Sequence, residues 1–179
     1  MLKALWEGLY KETAKGTASV LRENILFRYL SGRELKFVAN TVHIRNYRAG
    51  ETIFRQGQTG FGMYIIEGGT VSISVKADPH NDSQEETVLT TLESGDFFGE
   101  LALVEENGKR SASAIAGSDA RLIGFFKPNL FDIIQRRPST GVKISLRLNE
   151  VLGKRLIETN RSLTLLDDKL KNLKNGAET

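Results

Sequence analysis

A glycine, a carboxylate and an arginine lying within a dozen residues of one another form the part of this chain best equipped for chemistry. The stretch runs Gly95-Asp96-Phe97-Phe98-Gly99-Glu100-Leu101-Ala102-Leu103-Val104 and ends at Arg110-Ser111-Ala112. Gly99 lets backbone approach a ligand closely, and it precedes a short apolar turn that reads as helical. The first turn of a helix has N–H groups without intrahelical acceptors and carries the positive end of a dipole, which suits an anion. Ten residues after Glu100 comes Arg110, whose planar guanidinium can fork onto two phosphate oxygens. A loop returning Arg110 over that turn gives a phosphate one full charge and several backbone donors. Glu100 is then left as an acceptor-only group, suited to a sugar hydroxyl and unsuited to a second anion. The competing reading is structural: Glu100 and Arg110 pair with each other and bind nothing.

Such a loop needs a rigid frame. From Val42 to Phe126, short apolar or β-branched runs recur at 51–54, 63–66, 70–75, 87–92, 113–116 and 120–126. Turn signals at Gly50, Gly57, Gly60, Gly68-Gly69 and Gly95-Asp96 punctuate them, which predicts an antiparallel barrel or jelly roll. In 70–75 the alternation puts Val71, Ile73 and Val75 on one face. Residues 76–86, KADPHNDSQEE, read as a solvated hairpin tip. Residues 1–40 form a helical segment, with stripes at Leu2, Leu5, Trp6, Leu9 and at Leu21, Ile25, Leu26, Leu30. Ser31 and Glu34 form a capping-box pattern ahead of Leu35, Val38 and Ala39. The central unit is 41–137, and 138–179 is a closing segment. In it, Leu130, Ile133 and Ile134 belong to a short helix stopped near Pro138, and a long helix follows over about 142–173. Leu152, Leu156, Leu163, Leu166, Leu170 and Leu173 fall on three- and four-residue steps, with Thr159 at the one polar step. That is a heptad seam for a partner helix, and it predicts a homodimer. The alternative is that the seam packs on the chain's own barrel.

The segment FGELALVEENGKRSASA is similar to the phosphate-binding cassette of the cyclic-nucleotide-binding domains. Those domains occur in catabolite activator proteins, in regulatory subunits of the cAMP-dependent kinase and in cyclic-nucleotide-gated channels. The resemblance spans residues 24–160 and takes in ILFRYLSGRELKFVA, YRAGETIFRQGQTGFGMYIIEGGTVSISV and the long helix. It implies a mainly β fold, an eight-stranded antiparallel jelly-roll barrel with helices at both ends, binding cAMP or cGMP as ligand. Gly99, Leu101 and Ala102 would then offer backbone groups to the cyclic phosphate, between Phe98 and Ala112 at the cassette's two ends. Glu100 would hold the ribose 2′-OH, Arg110 the exocyclic phosphate oxygens, and Ser111 the phosphate or the base edge. Met63, Ile65, Val71 and Ile73 are candidates for the apolar wall. Matching from Pro138 onward brings Arg155 and Leu156 near the base, where related receptors carry hydroxyl residues. Arg155 could stack on either base or meet the O6 and N7 of guanine, so this position does not choose the base; cAMP is favoured weakly, with cGMP the alternative.

Composition narrows the rest. A net charge of +3 with interspersed acids lacks the basic stripe of a nucleic-acid binder. There are no cysteines, which excludes disulfides and thiolate chemistry, and the two histidines, His43 and His80, support neither a metal site nor a triad. No apolar run approaches a membrane span and no secretory signal is evident, so a cytoplasmic protein without metal, cofactor or membrane is expected. In the transcription-factor branch a helix-turn-helix domain follows the long helix. This chain stops soon after Leu173, so direct DNA binding is not expected. The initiating methionine favours a complete small chain over a fragment. The reading is therefore a non-enzymatic sensor acting on an unidentified effector protein. Its rival is a nucleotide-independent dimeric scaffold of the same fold.

Overall fold

Eight strands and four helices order residues 16–76 and 86–177, the part of the chain that this computed structural model describes. The stripe at Leu2, Leu5, Trp6 and Leu9, residues 77–85 of the expected hairpin tip with His80, and the side chain of Leu170 lie outside the described residues. Helix α1 occupies 16–23 and α2 Gly32–Ala39. The strands are β1 (His43–Tyr47), β2 (Thr52–Phe54), β3 (Gly62–Gly68), β4 (Val71–Val75), β5 (Thr87–Leu92), β6 (Phe97–Phe98), β7 (Ser113–Ala116) and β8 (Ala120–Phe126). A 3-10 turn, Glu100–Leu103, follows β6, and helices α3 (Lys127–Arg136) and α4 (Pro138–Ala177) close the described chain.

The strands form two antiparallel four-stranded sheets, ordered β1-β8-β3-β6 and β2-β7-β4-β5. The closed barrel expected from the resemblance is therefore two facing open sheets, since no strand pairing among the described residues joins them. Tyr64, Ile66 and Leu122 of one sheet meet Val71, Ala114 and Ala116 of the other in the core between them. Met63, Ile65, Ile123 and Phe125 point the opposite way, into a second core with Phe27, Leu35, Ile133 and Ile144 of the helical layer. Strand β3 is thus buried on both faces, which explains its unbroken apolar run Met63–Ile66.

Three local readings change. The helix expected to carry Leu21, Ile25, Leu26 and Leu30 stops at residue 23. Asn24 Oδ1 accepts from Leu26 N–H at 3.1 Å while the Asn24 carbonyl accepts from Phe27 and Arg28, a local alternative to the helix ladder. Strand β4 does not simply turn Val75 inward: Ser74 is buried and bonds Glu86, and the β4–β5 register shifts between Ile73 and Ser74. Helix α4 starts at Pro138, earlier than expected, because proline is at home in a first helical turn.

The capping box at α2 is formed, and it does more than cap. Glu34 accepts from Ser31 N–H at 2.7 Å, from Thr140 Oγ1 at 3.1 Å and from Lys143 Nζ at 2.9 Å, tying α2 to the start of α4. Burial pushes the Glu34 carboxyl up, but the bonds from Lys143, Ser31 and Thr140 outweigh it and hold it at about 2. Between about 4.5 and about 2 the unfolded chain binds the proton and the folded chain does not. The stabilisation is therefore complete above that window and is lost as pH falls through it. Glu34→Gln should cost on the order of 1 kcal/mol at neutral pH, since Lys143 is half-exposed. Urea melts at pH 7 and pH 3 should differ less for the variant than for wild type; equal differences would remove Glu34 from the acid limb.

Candidate functional site

Arg110 reaches the turn because the chain around it pairs with the segment before β3. Arg110 N–H donates to the Gln58 carbonyl and its own carbonyl accepts from Gly57 N–H, both at 2.8 Å, and Thr59 bridges Lys109. The side chain then turns inward. Nη1 donates to the Gly99 carbonyl at 3.0 Å and Nη2 to the Gly62 carbonyl at 2.7 Å. One face of the guanidinium lies 4.0 Å from the centre of the Phe54 ring. Burial pushes the Arg110 pKa down from its ordinary value, against the pull of nearby Tyr64 and Glu100. That partial loss of water strengthens any bond the fork makes with an anion.

Gly99 is required by this arrangement. Its φ of 77° is left-handed, and a Cβ there would lie 2.4 Å from Arg110 Nη1. Its carbonyl takes the arginine, while Glu100, 4% exposed, opens the 3-10 turn. The carboxylate of Glu100 does not pair with Arg110. It accepts from Arg155 Nη1 of α4, and Arg155 also reaches the Phe97 carbonyl at 3.4 Å and lies 4.9 Å over the Phe97 ring. The expected alternative, a Glu100–Arg110 pair, is thus replaced by a contact from cassette to helix.

These residues surround one cavity of about 890 Å³. Phe98, Gly99, Glu100, Leu101, Ala102, Arg110, Ser111, Ala112 and Arg155 all line it. Of the four strand residues expected in the apolar wall, Ile73 lines it and Met63, Ile65 and Val71 do not. Met63 and Ile65 face the helical core, and Val71 is sealed between the sheets. The wall is instead made by Ile73, Phe54, Leu89 and Leu92, with Leu152 and Leu156 of α4 on the far side. Thr159, the polar step in the leucine seam, also lines the cavity, and its hydroxyl donates to the Arg155 carbonyl at 2.8 Å. A polar residue breaking a heptad stripe was the sequence signal for it; Phe54 and Leu89 left none. Among the described residues no cluster of three or more His, Cys, Asp or Glu is arranged to hold a metal, and no helix is long and apolar enough to cross a membrane.

The arrangement offers a partly desolvated cation, a buried carboxylate and an apolar wall around one space, which fits a ligand carrying an anion, a hydroxyl and a flat apolar body. Comparison with known proteins points the same way. The family described as "Cyclic nucleotide-binding domain" matches residues 44–137. The chain is 34% identical over 141 residues to the cyclic AMP receptor protein of Thermus thermophilus, covering 79% of this chain and 61% of that one. It is 39% identical over 102 residues to cGMP-dependent protein kinase isozyme 1 of Drosophila melanogaster, covering 57% of this chain and 13% of the kinase. The crystal structure of the Thermus thermophilus catabolite activator protein superposes with a TM-score of 0.69 at 30% identity, covering 80% of this chain and 63% of that one. The chain thus spans less than two thirds of the length of each of these relatives.

Proposed function

This chain belongs to the cyclic nucleotide-binding domain family, and from that premise we propose that it is a cyclic-nucleotide sensor, binding cAMP in preference to cGMP, and not an enzyme. The observation that carries the reading is the Arg110 fork and the buried Glu100 carboxylate lining one cavity on the two sides of the Gly99 turn. In this reading the cyclic phosphate meets Arg110 and the turn's amides, the ribose 2′-OH donates to Glu100, and the base lies against Ile73, Leu89 and Leu156. Ser111 and Thr159 bring hydroxyls to the ligand's edges. We read the two strand orders as jelly-roll connectivity, the frame on which the cassette is mounted.

Occupancy is passed on through Arg155. A ribose hydroxyl donating to Glu100 changes what Arg155 can bond, and Arg155 is part of α4. A ligand with different affinity for two α4 arrangements shifts their balance, and α4 presents the result to a second copy and to a separate effector protein. Cytoplasmic placement belongs to the same reading.

One observation favours the rival scaffold: Glu100 already has a charged partner in Arg155, so the carboxylate is satisfied by the chain itself. Calorimetric titration with cAMP and cGMP of protein purified free of nucleotide separates the two. The sensor gives saturable heat with a Kd at or below roughly micromolar. At a hundred-fold excess over Kd it gains about 2.7 kcal/mol of stability. Absence of both heat and thermal shift with either nucleotide rejects the sensor. A tighter Kd for cGMP keeps the sensor and reverses the assigned base.

A further inference from the structure

The Arg110 guanidinium is held by three protein groups. Two of its five N–H donors are spent on the carbonyls of Gly99 and Gly62. Those bonds fix two directions in the guanidinium plane and leave the flat faces undefined. One face is occupied by the Phe54 ring at 4.0 Å, a distance at which the ring's quadrupole attracts the cation. Gly60 crowds the same side chain, since a Cβ there would lie 2.9 Å from Arg110 Nε. The fork is therefore confined both in its plane and across it.

Phe54 is itself held. It stands 5.7 Å from the ring of buried Phe98 and 6.2 Å from that of Tyr64, and Phe98 and Tyr64 stack at 5.6 Å. The contact thus joins Arg110 to the core between the sheets. An arginine has several rotatable bonds and loses their freedom when it takes up one geometry, so prior confinement removes part of that loss from ligand binding.

We propose that Phe54 is a positioning residue for the anion site: its ring face holds the Arg110 guanidinium in the one orientation that presents the remaining N–H donors to the ligand's phosphate. This rests on the sensor reading for the identity of the anion, but the ring–guanidinium contact can be observed without any ligand. Phe54 lines the cavity as well, and its assigned role is on the arginine.

Two substitutions test it, Phe54→Leu, which removes the ring, and Phe54→Tyr, which keeps it. The first readout is the Arg110 Nε–H resonance in nitrogen-15 spectra, assigned by its loss in Arg110→Lys. The ring should shift it upfield in wild type and in Phe54→Tyr, and the shift should vanish in Phe54→Leu. The second is cAMP affinity, expected to fall about 3- to 30-fold in Phe54→Leu and to stay within about two-fold in Phe54→Tyr. Thermal melts identify any variant that fails to fold, and the wild-type and Phe54→Tyr resonances then decide. An unshifted wild-type resonance overturns the proposal, and so does a well-folded Phe54→Leu with wild-type affinity. If wild type binds neither nucleotide, the sensor reading fails, and the resonances still decide whether Phe54 holds Arg110.

Discussion

Replacing Arg110 with alanine is expected to lower cyclic-nucleotide affinity by at least about a hundred-fold. The Arg110 guanidinium donates to the Gly99 carbonyl and is partly stripped of water there. Charge-assisted hydrogen bonds to a phosphate are roughly twice as strong as neutral ones. Truncating one partner of a desolvated charge pair costs about 2–5 kcal/mol, which spans roughly 30- to several-thousand-fold. Two further losses add to it. The Gly99 and Gly62 carbonyls lose their donor, and the turn loses the group that ties it to the start of β3. Arg110→Lys separates these contributions, because lysine keeps the charge and loses the planar fork. It should bind with intermediate affinity. Calorimetry on both variants, with melts to establish folding, is the check. Alanine binding within about three-fold of wild type would mean that the phosphate is held elsewhere.

Why Arg110 and Glu100 could be singled out from sequence, and Phe54 and Leu89 could not, follows from where each comes from. The first two belong to one short stretch, and the backbone conformation at Gly99 is legible in the residue type itself. Phe54 and Leu89 come from strands far away in sequence, and only the pairing of β2 with β7 and of β4 with β5 brings them to the cavity. The inward direction of Met63 was unreadable for a different reason. A strand buried on both faces shows no alternation, so nothing in Met63–Ile66 says which side chain meets which core. Matching from Pro138 brought Arg155 to the neighbourhood of the base. Its bond to Glu100 depends on where α4 lies against β6 and the turn that follows it, a tertiary distance that helical periodicity does not contain. Strand β6 is two residues long, below what a pattern of alternation can register.

The second large effect concerns α4 beyond the body of the fold. Val151 is its last buried residue, and every described residue from Gly153 onward is exposed. Leu163, Leu166 and Leu173 are 59%, 56% and 71% exposed, and they continue the stripe begun by Leu152 and Leu156 at the cavity. The alternative that the seam packs on the chain's own strands therefore holds for Leu152 and not for these. At ~1.5 Å per residue the stretch from Lys154 to Leu173 reaches roughly 30 Å. A helix of that length without tertiary contacts is marginal in water, and leucines repeating at heptad spacing gain about 1.5–3 kcal/mol each when a partner helix buries them. A second copy supplies an identical stripe, so we expect wild type to be a dimer in light scattering and the Leu163→Lys, Leu166→Lys double variant to be a monomer. The substitutions lie outside the buried cores, so the melting of the two-sheet body should survive them. A variant that remains dimeric, or a wild type that is monomeric, refutes this seam as the interface. Since Leu156, Arg155 and Thr159 line the cavity on the same helix, loss of the partner should also weaken cyclic-nucleotide binding. The expected change is several-fold, because the outer helix would lose the support that keeps those three side chains in place.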